Sequence, residues 1–302
     1  MTDGVPFAVF SCDVDTVDRH LQGYGFEGLP PCDLVYRKAV PRILGLLDQL
    51  GVRGVFFLIA RDASGQRTLI REMATNGHEI ASHSLTHQQP FSALDDTAMA
   101  DELESSRARL ADAAGSEVEG FRAPAWDVDD RVLAAVQSAG YRYDASVFPT
   151  PVLVLSRLAA YRRSMGMSSI FSMGLFRHAF APLRPRRVTR GSAAGLVEFP
   201  ISVTRWLRFP VYHTMRYFVP PWMFRRCLRA LLRTGLPVCY EFHAADVLGL
   251  AEDGPDPRIA RHPGMQLPLE QKMEALREIL ATIAAERRVV TYRAALAEGL
   301  AG

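Results

Sequence analysis

Short apolar runs alternate with amphipathic stretches along most of this 302-residue chain, and this alternation limits the fold more than any other feature. The strand-like runs lie at 7–12, 54–59, 79–82, 120–122, 198–201, 238–242 and 289–291. The helical patterns lie at 36–50, 66–76, 95–114, 130–139 and 268–287. Such alternation predicts parallel strands joined by crossover helices, and therefore an α/β fold. The pattern by itself leaves a barrel and an open doubly wound sheet as alternatives.

Residues with catalytic chemistry follow several of the predicted strands. Asp13 and Asp15 come at the end of the first apolar run. His83 follows the third run, and Arg122 and His243 end two later ones. Parallel α/β folds gather their chemistry at the carboxyl ends of the strands. We therefore expect these side chains to share one site.

The spacing of the histidines and aspartates suits a divalent metal. His83 and His87 are four positions apart, and their rings converge when the backbone between them is helical or tightly turned. Asp13 and Asp15 are two positions apart and point the same way on an extended chain. Two imidazoles and one carboxylate leave a position open for water and the other carboxylate free as a base. The alternatives are ordinary surface histidines and aspartates that cap a turn.

Four short motifs carry a resemblance to a known family. They are D-V-D-T at 13–16, S-H-S-L-T-H at 82–87, F-R-A-P-A-W at 121–126 and E-F-H at 241–243. Their order resembles that of the polysaccharide deacetylase family, the NodB-type enzymes of carbohydrate esterase family 4, over residues 5–145 and again over about 196–297. The resemblance implies an irregular (β/α)7 barrel of the NodB type, here with an arginine-rich apolar insertion.

The resemblance also implies a role for each motif residue. By motif position, Asp15, His83 and His87 hold one divalent metal. Asp13 is then the base, and His243 is the acid. The metal expected first is zinc, with cobalt, nickel, manganese and iron as alternatives.

Further residues near these motifs are candidates for supporting roles. In the resembled family the position of Arg122 orients the base, and a nearby cation also favours a charged carboxylate. Trp126 and Pro124 are candidate substrate-binding residues beside the site. Asp246, three positions after the acid, is a candidate for substrate binding through a supporting contact.

Two departures from the family pattern bear on the substrate. The common first motif has adjacent aspartates, whereas Val14 separates them here. This D-V-D-T form resembles the subgroup that contains lipid-linked aminoarabinose deformylases. The family's fourth motif, a segment with a tryptophan that braces the acid histidine, has no clear counterpart in the sequence.

Length and composition favour one large domain over residues 1–302. With 48% hydrophobic residues the chain can bury a substantial core. Its four cysteines are scattered without a C-x-x-C pair, which favours a reducing compartment. Neither a signal peptide nor a run of 18 apolar residues is visible. We expect a cytoplasmic protein, peripheral at the inner face of the membrane.

Arginine dominates one part of the chain. Between Ala145 and Tyr240 there are fifteen arginines, no lysine and one acidic residue, Glu198, although the net charge of the whole chain is only +2. Two basic apolar segments, 146–196 and 203–233, are expected as insertions within the domain. Such a division of charge indicates an anionic partner.

Three kinds of partner could match this basic region. Nucleic acid is disfavoured because lysine and the usual fold signals are absent. Contact within a homo-oligomer stays an alternative. Aromatic and aliphatic side chains between arginines favour an anionic membrane surface or a lipid-linked substrate. The candidate contacts are Phe209, Tyr212, Trp222, Phe224, Arg184, Arg186, Arg187 and Arg190.

The sequence thus predicts a metal-dependent hydrolase that removes an N-acyl group, acetyl or formyl, from an amino sugar carried on a lipid. One alternative is a soluble amidase of the same superfamily, either an oligosaccharide deacetylase or a ureide-ring hydrolase. Another is a membrane-binding protein without catalysis.

Overall fold

A nine-stranded sheet forms the centre of the computed structural model, which describes residues 6–152, 178–188 and 193–300. The strands are β1 (Phe7–Val14), β2 (Val55–Leu58), β3 (Glu79–Ser82), β4 (Gly120–Phe121), β5 (Tyr143–Asp144), β6 (Arg186–Arg187), β7 (Val197–Glu198), β8 (Val238–His243) and β9 (Arg288–Val289). Their order is β6-β7-β5-β4-β3-β2-β1-β8, and β9 pairs with the start of β1. Among these strands only β6 runs antiparallel to its neighbour. The predicted α/β fold is confirmed.

Strand β1 pairs with three other strands, β2, β8 and β9, and carries the first motif. All eight of its residues are buried, as expected for a parallel strand covered on both faces. Asp13 stands level with Phe57 of β2 on one side and with His243 of β8 on the other. The register therefore brings the first and last motifs to the same edge of the sheet.

Nine α-helices flank the sheet in the described part of the chain. They are α1 (Val17–Gly23), α2 (Val40–Gln49), α3 (Arg67–Thr75), α4 (Asp96–Ala114), α5 (Asp130–Ser138), α6 (Pro221–Leu232), α7 (Leu250–Asp253), α8 (Leu269–Glu286) and α9 (Tyr292–Ala297). All five predicted helices are present, although the one expected from residue 36 begins with a π-helical turn, Val35–Ala39. Aspartates cap α4 and α5: Asp95 accepts from Ala98 N, and Asp129 accepts from Val132 N.

The sheet curls into a half-barrel, as the resemblance implied. Irregular chain fills the position between β7 and β8, where the described strands do not pair directly. Ile201 N donates to Val147 O at 2.9 Å on one side. On the other side Ser202 N donates to Cys239 O at 3.3 Å, and Cys239 N donates to Ser202 Oγ at 2.8 Å. The predicted strand at 198–201 is therefore mostly an extended linker after a two-residue strand.

The two expected insertions are described only in part. Residues 153–177 and 189–192 of the first lie outside the described residues. The second contains a turn between the bridged residues Val203 and Pro210, a 3₁₀ helix at His213–Tyr217, and α6. Their status as insertions in a single domain stays a prediction. Within the described helices none has the length and apolar character needed to cross a bilayer.

Candidate metal centre and catalytic site

Three side chains with metal-binding atoms meet at the carboxyl edge of the sheet. Asp15 follows β1, His83 follows β3, and His87 lies four residues further along. Asp15 Oδ1 is 3.4 Å from the Nε2 atom of each histidine. One ligand atom from each of the three lies within 4.8 Å of the others. The structure therefore brings together the three residues that the sequence singled out as ligands.

The backbone between the histidines is tightly turned. Ser84 and His87 have φ values of 66° and 63°, in the left-handed region that non-glycine residues seldom adopt. His87 N donates to Ser84 Oγ at 2.9 Å, which closes the turn. Glu102 of α4 accepts from Leu85 N at 2.9 Å, and from the backbone and hydroxyl of Thr86. A buried carboxylate on a neighbouring helix thus holds this strained loop.

The donor set fits a divalent cation. His83 Nδ1 donates to the carbonyl of Arg122 at 2.8 Å, which leaves Nε2 as the free ligand nitrogen. Asp15 Oδ1 is buried and has no hydrogen-bond partner in the described chain. Burial lowers the pKa of His87 to about 4, so this ring is neutral near pH 7, as a ligand must be. Two imidazoles and one carboxylate suit zinc and neighbouring transition metals.

Asp13 lies beside this triad and is held by Arg122. The Arg122 guanidinium donates to Asp13 Oδ1 at 2.5 Å and to Ser11 Oγ at 2.9 Å. Arg122 Nε donates to Ala145 O at 3.0 Å, and its charge lies 4.0 Å from the centre of the Phe57 ring. A fully buried cation with these contacts fixes one orientation of the carboxylate.

His243 and Glu241 complete a second cluster with Asp13. The ligand-type atoms of these three residues also lie within 4.8 Å of one another. Burial raises the pKa of Glu241 to about 7. Burial lowers the pKa of His243, but nearby carboxylates, Glu241 first among them, outweigh it and raise that pKa above its usual value. The site therefore contains an imidazole suited to carry a proton near neutral pH.

Asp246 and His262 lie close to His243. Asp246 Oδ2 accepts from His243 N at 2.8 Å, and Asp246 Oδ1 is 3.7 Å from His262 Nε2. The ring of His20 lies 5.6 Å from that of His243 and 4.9 Å from that of His262. The sequence had offered no partner for His20 or His262, because nothing in their spacing connects α1 with the chain after α7.

A cavity of about 340 Å³ opens onto both clusters. The lining includes the aromatic side chains of Trp126, Tyr212 and Phe218 and the polar side chains of Arg19, His20, Tyr24, Gln89 and His262. Trp126 Nε1 donates to Glu241 Oε2 at 3.0 Å, and its ring meets that of Tyr212 edge to face. Trp126 is therefore in a position to touch a substrate.

Two predicted substrate-binding residues lie outside this lining. Pro124 is buried and only its neighbours Ala125 and Trp126 reach the cavity. Asp246 is fully buried behind His243. The arrangement gives Asp246 a supporting contact and gives neither residue direct access to a substrate.

The predicted lipid contacts differ in how exposed their side chains are. Phe224 is 1% exposed and packs in the main core, so its assignment as a surface contact is wrong. Apolar residues of an amphipathic helix such as α6 point to the core on one face, and Phe224 lies on that face. Tyr212 is buried against the cavity, whereas Trp222 is 67% exposed. Phe209 is partly buried.

The arginines among these candidates differ as well. Arg184 and Arg187 are exposed, while Arg186 is partly buried and donates to Glu198 at 3.0 Å. Arg190 lies outside the described residues. Within the described ranges, the most exposed large apolar side chains are those of Trp206 and Leu207, and neither was among the predicted contacts.

Comparison with known proteins agrees with this geometry. The family profile of the polysaccharide deacetylases matches residues 29–143. A chitooligosaccharide deacetylase from Sinorhizobium fredii is 32% identical over 100 residues, which make up 33% of this chain and 46% of that relative. A chitooligosaccharide deacetylase from a Bradyrhizobium strain is 43% identical over 47 residues, 16% of this chain and 22% of that relative. The chain thus covers less than half the length of either relative.

Solved structures share the fold over almost the whole chain. A protein from Mycobacterium smegmatis that is assigned to the polysaccharide deacetylases has a TM-score of 0.63 at 22% identity, covering 99% of this chain and 91% of its own. An allantoinase has a TM-score of 0.59 at 13% identity, covering 94% of this chain and 87% of its own. At such identities the likeness concerns the fold. The profile match over residues 29–143 and the shared fold are what this chain has in common with the polysaccharide deacetylases.

Proposed function

We propose that this protein is a metal-dependent hydrolase that removes an N-acyl group from an amino sugar. One observation carries the proposal: Asp15, His83 and His87 share a cavity with an arginine-held Asp13 and with His243. Deacetylase chemistry is supported further by the polysaccharide deacetylase profile. A divalent ion bound by the triad would supply Lewis-acid polarisation of the amide carbonyl.

The chain's own residues would handle the protons. Asp13 would accept a proton from the attacking water, with its carboxylate oriented by Arg122. His243 would donate a proton to the departing nitrogen, because an amine leaves poorly as an anion. Nearby carboxylates, Glu241 first among them, raise the pKa of His243 above its usual value, which favours the protonated form that this role needs. Trp126 and Tyr212 would form the apolar wall against which a sugar ring packs.

The finer proposal is that the sugar is carried on a lipid phosphate and that its acyl group is formyl or acetyl. The D-V-D-T motif at 13–16 supports it, through its resemblance to aminoarabinose deformylases. The excess of arginine between Ala145 and Tyr240 supports it as well, because a lipid phosphate is anionic. Contacts remote from the amide could then assist positioning at the reacting bond.

Turnover of matched substrates tests the substrate class. One N-acylated amino sugar is offered as the free sugar and on a polyprenyl phosphate, in acetyl and formyl forms, with products identified by mass spectrometry. We expect kcat/KM to be higher for the lipid-carried form. Equal kcat/KM values for the free and lipid-carried forms would favour the soluble amidase instead. Hydrolysis of a cyclic ureide, with no hydrolysis of any amido sugar, would overturn the proposal.

Two neighbouring aspartates allow a separate test of the site. Asp15→Ala should lose bound metal, because one of three ligands is removed. Asp13→Asn should keep the metal and lose about 100-fold or more in kcat, because only the proton acceptor is lost. Metal content of the purified variants and turnover of one substrate are the two measurements. Loss of metal from Asp13→Asn would contradict the division of roles.

A further inference from the structure

Three large apolar side chains project into solvent beside one another. Phe180 is 70% exposed, Trp206 is 85% exposed and Leu207 is 83% exposed. Arg208, the residue after Leu207, connects the two parts of this group. Its guanidinium lies 5.6 Å from the centre of the Phe180 ring. We call Phe180, Trp206 and Leu207 the apolar tip.

The tip sits on a turn that is firmly built. Arg208 has a left-handed φ of 48° and its guanidinium donates to Ala181 O at 2.9 Å, Phe180 O at 3.3 Å and Pro149 O at 3.2 Å. Thr150 Oγ1 donates to Arg208 O at 2.7 Å. Two chain segments are thereby clamped to the turn that presents Trp206 and Leu207. Exposure of apolar residues on such a fixed turn indicates a contact surface.

The base of the same turn packs against residues that line the cavity of the candidate site. Val203, bridged to Pro210 across the turn, packs in one small cluster with Ile201, Phe148 and Tyr212. Trp126 packs against this cluster. Tyr212 and Trp126 also line the cavity. The cluster that contains Tyr212 therefore lies between the base of this turn and the candidate site.

The charge around the tip indicates what it meets. Arg205 is exposed, and its guanidinium lies 5.1 Å from the centre of the Trp206 ring. Arg184, four residues after Phe180, is exposed as well. Glu198, the single acidic residue between Ala145 and Tyr240, is buried and paired with Arg186. Aromatic rings beside unopposed arginines suit the interface of an anionic bilayer, where rings lie at headgroup depth and cations meet lipid phosphate.

We propose that the apolar tip inserts into the interface of an anionic membrane, with Arg205 on the lipid headgroups, and so presents the cavity to substrates carried in that membrane. The substrate part of this statement rests on the proposed function, whereas membrane insertion does not. The partner is the lipid surface itself, because the exposed apolar side chains stand beside exposed arginines, an arrangement that matches a layer of anionic headgroups over acyl chains.

Vesicle binding and fluorescence test the insertion. The full-length protein is mixed with vesicles of phosphatidylglycerol and phosphatidylcholine, or of phosphatidylcholine alone, with and without brominated acyl chains. We expect sedimentation with the anionic vesicles, release by salt, and quenching of tryptophan emission by the brominated lipid. The double variant Trp206→Ser with Leu207→Ser should bind roughly tenfold more weakly or worse, because both side chains lose their burial in lipid.

Matched variants separate the tip from general effects. Leu267→Ser removes another exposed apolar side chain, and Arg109→Ser removes an exposed arginine from α4. We expect wild-type vesicle binding in Leu267→Ser and a smaller loss in Arg109→Ser than in Arg205→Ser. In the free protein, acrylamide should quench the fluorescence of Trp206. The contribution of Trp206 is the difference in quenched emission between the wild type and Trp206→Phe.

Three results would overturn the insertion. They are unchanged vesicle binding by the double variant, equal binding to neutral and anionic vesicles at all salt concentrations, and a Trp206 that is shielded from acrylamide before any vesicle is added. Binding to a soluble anionic polysaccharide that competes fully with vesicles and is unaffected by the double variant would also contradict it. Turnover of a free amido sugar, which should be the same in wild type and double variant, reports on the proposed function separately.

Discussion

Glu241 connects Trp126, which lines the cavity, with His243, the proposed acid. Its Oε2 atom accepts from Trp126 Nε1 at 3.0 Å, and its Oε1 atom lies 3.9 Å from His243 Nε2. The side chain is fully buried, and burial raises its pKa to about 7. Glu241 therefore holds a wall residue by a hydrogen bond and acts on His243 through its charge.

Replacing Glu241 by glutamine should separate these two effects. Glu241→Gln keeps an acceptor for Trp126 but removes the charge that helps to raise the pKa of His243. The acid must be protonated, so a lower pKa of His243 moves the alkaline fall of kcat/KM to lower pH, by roughly one unit. A pH profile of kcat/KM measures this shift. If the alkaline fall of kcat/KM stays at the same pH in Glu241→Gln and kcat is lowered equally at all pH values, Glu241 has only a structural role.

The chemistry of single residues was the part of the site most open to prediction. Spacing and motif order were enough to group Asp13, Asp15, His83 and His87, because β1 and β3 are parallel strands with only β2 between them and their carboxyl ends lie at one edge of the sheet. The contributions of His20 and Glu241 could not be predicted in the same way. His20 acts through ring contacts with His243 and His262, and Glu241 accepts a hydrogen bond from Trp126; both contacts join parts of the chain that lie far apart in sequence.

At the scale of the element, the loop of residues 83–87 is held by a helix. Glu102 of α4 accepts hydrogen bonds from the backbone of Leu85 and Thr86 and from the Thr86 hydroxyl. These contacts oppose the strain of left-handed φ values at Ser84 and His87. The position of the histidine rings therefore depends on a residue that touches neither of them.

Removing that carboxylate should loosen the metal site. Glu102→Ala should weaken zinc or cobalt affinity by about 10- to 100-fold, because the loop that carries two ligands loses its support. Isothermal titration of metal-free protein gives the affinity. Glu104→Ala, an exposed glutamate two residues further along α4, is the matched control and should bind metal as the wild type does. Equal affinities in the two variants would show that the strained loop keeps its shape alone.

Elements with long periodic patterns were predicted well, whereas two of the short strands were missed. The buried run of β1 and the helices α4 and α8 have enough residues to show a period. Strands β5 and β6 contain two residues each, and a pair of residues has no period to read. Helix α6 lies in the arginine-rich stretch, where the sequence was interpreted as a surface segment, and this is why Phe224 was placed outside the core.

At the scale of the whole molecule, the curled sheet brings the basic region and the catalytic edge together. The basic region includes β6, β7 and the chain up to β8. Strands β6 and β7 lie at one end of the strand order and β8 at the other, and the linker at Ile201 and Ser202 hydrogen-bonds between these two ends. Charge counting along the sequence located the region but could not give its neighbours. One acidic residue inside it, Glu198, is buried on β7 and therefore affects the stability of this side of the sheet.

Glu198 should make the folded protein less stable as the pH rises. Burial, together with nearby Asp144, raises its pKa to about 8, although Arg186 donates to it at 3.0 Å. The pKa in the folded state is higher than in the unfolded state, so the unfolded chain ionises first. The stabilising contribution is thus complete below about pH 4.5 and is lost as the pH rises towards 8. Burial likewise raises the pKa of Asp144, to about 6, which adds to the fall at lower pH.

The variant Glu198→Gln should flatten this dependence. Between about pH 5 and pH 8 the free energy of unfolding of the wild type should fall more than that of Glu198→Gln, by on the order of 2–3 kcal/mol. Glutamine cannot ionise but keeps an oxygen that can accept from Arg186. Denaturant unfolding at the two pH values measures the difference, and metal-free protein is used so that ligand titration does not enter. Parallel pH profiles for the two proteins would mean that Arg186 keeps Glu198 charged throughout, and that the β6–β7 edge is held by an ion pair rather than by a neutral hydrogen bond.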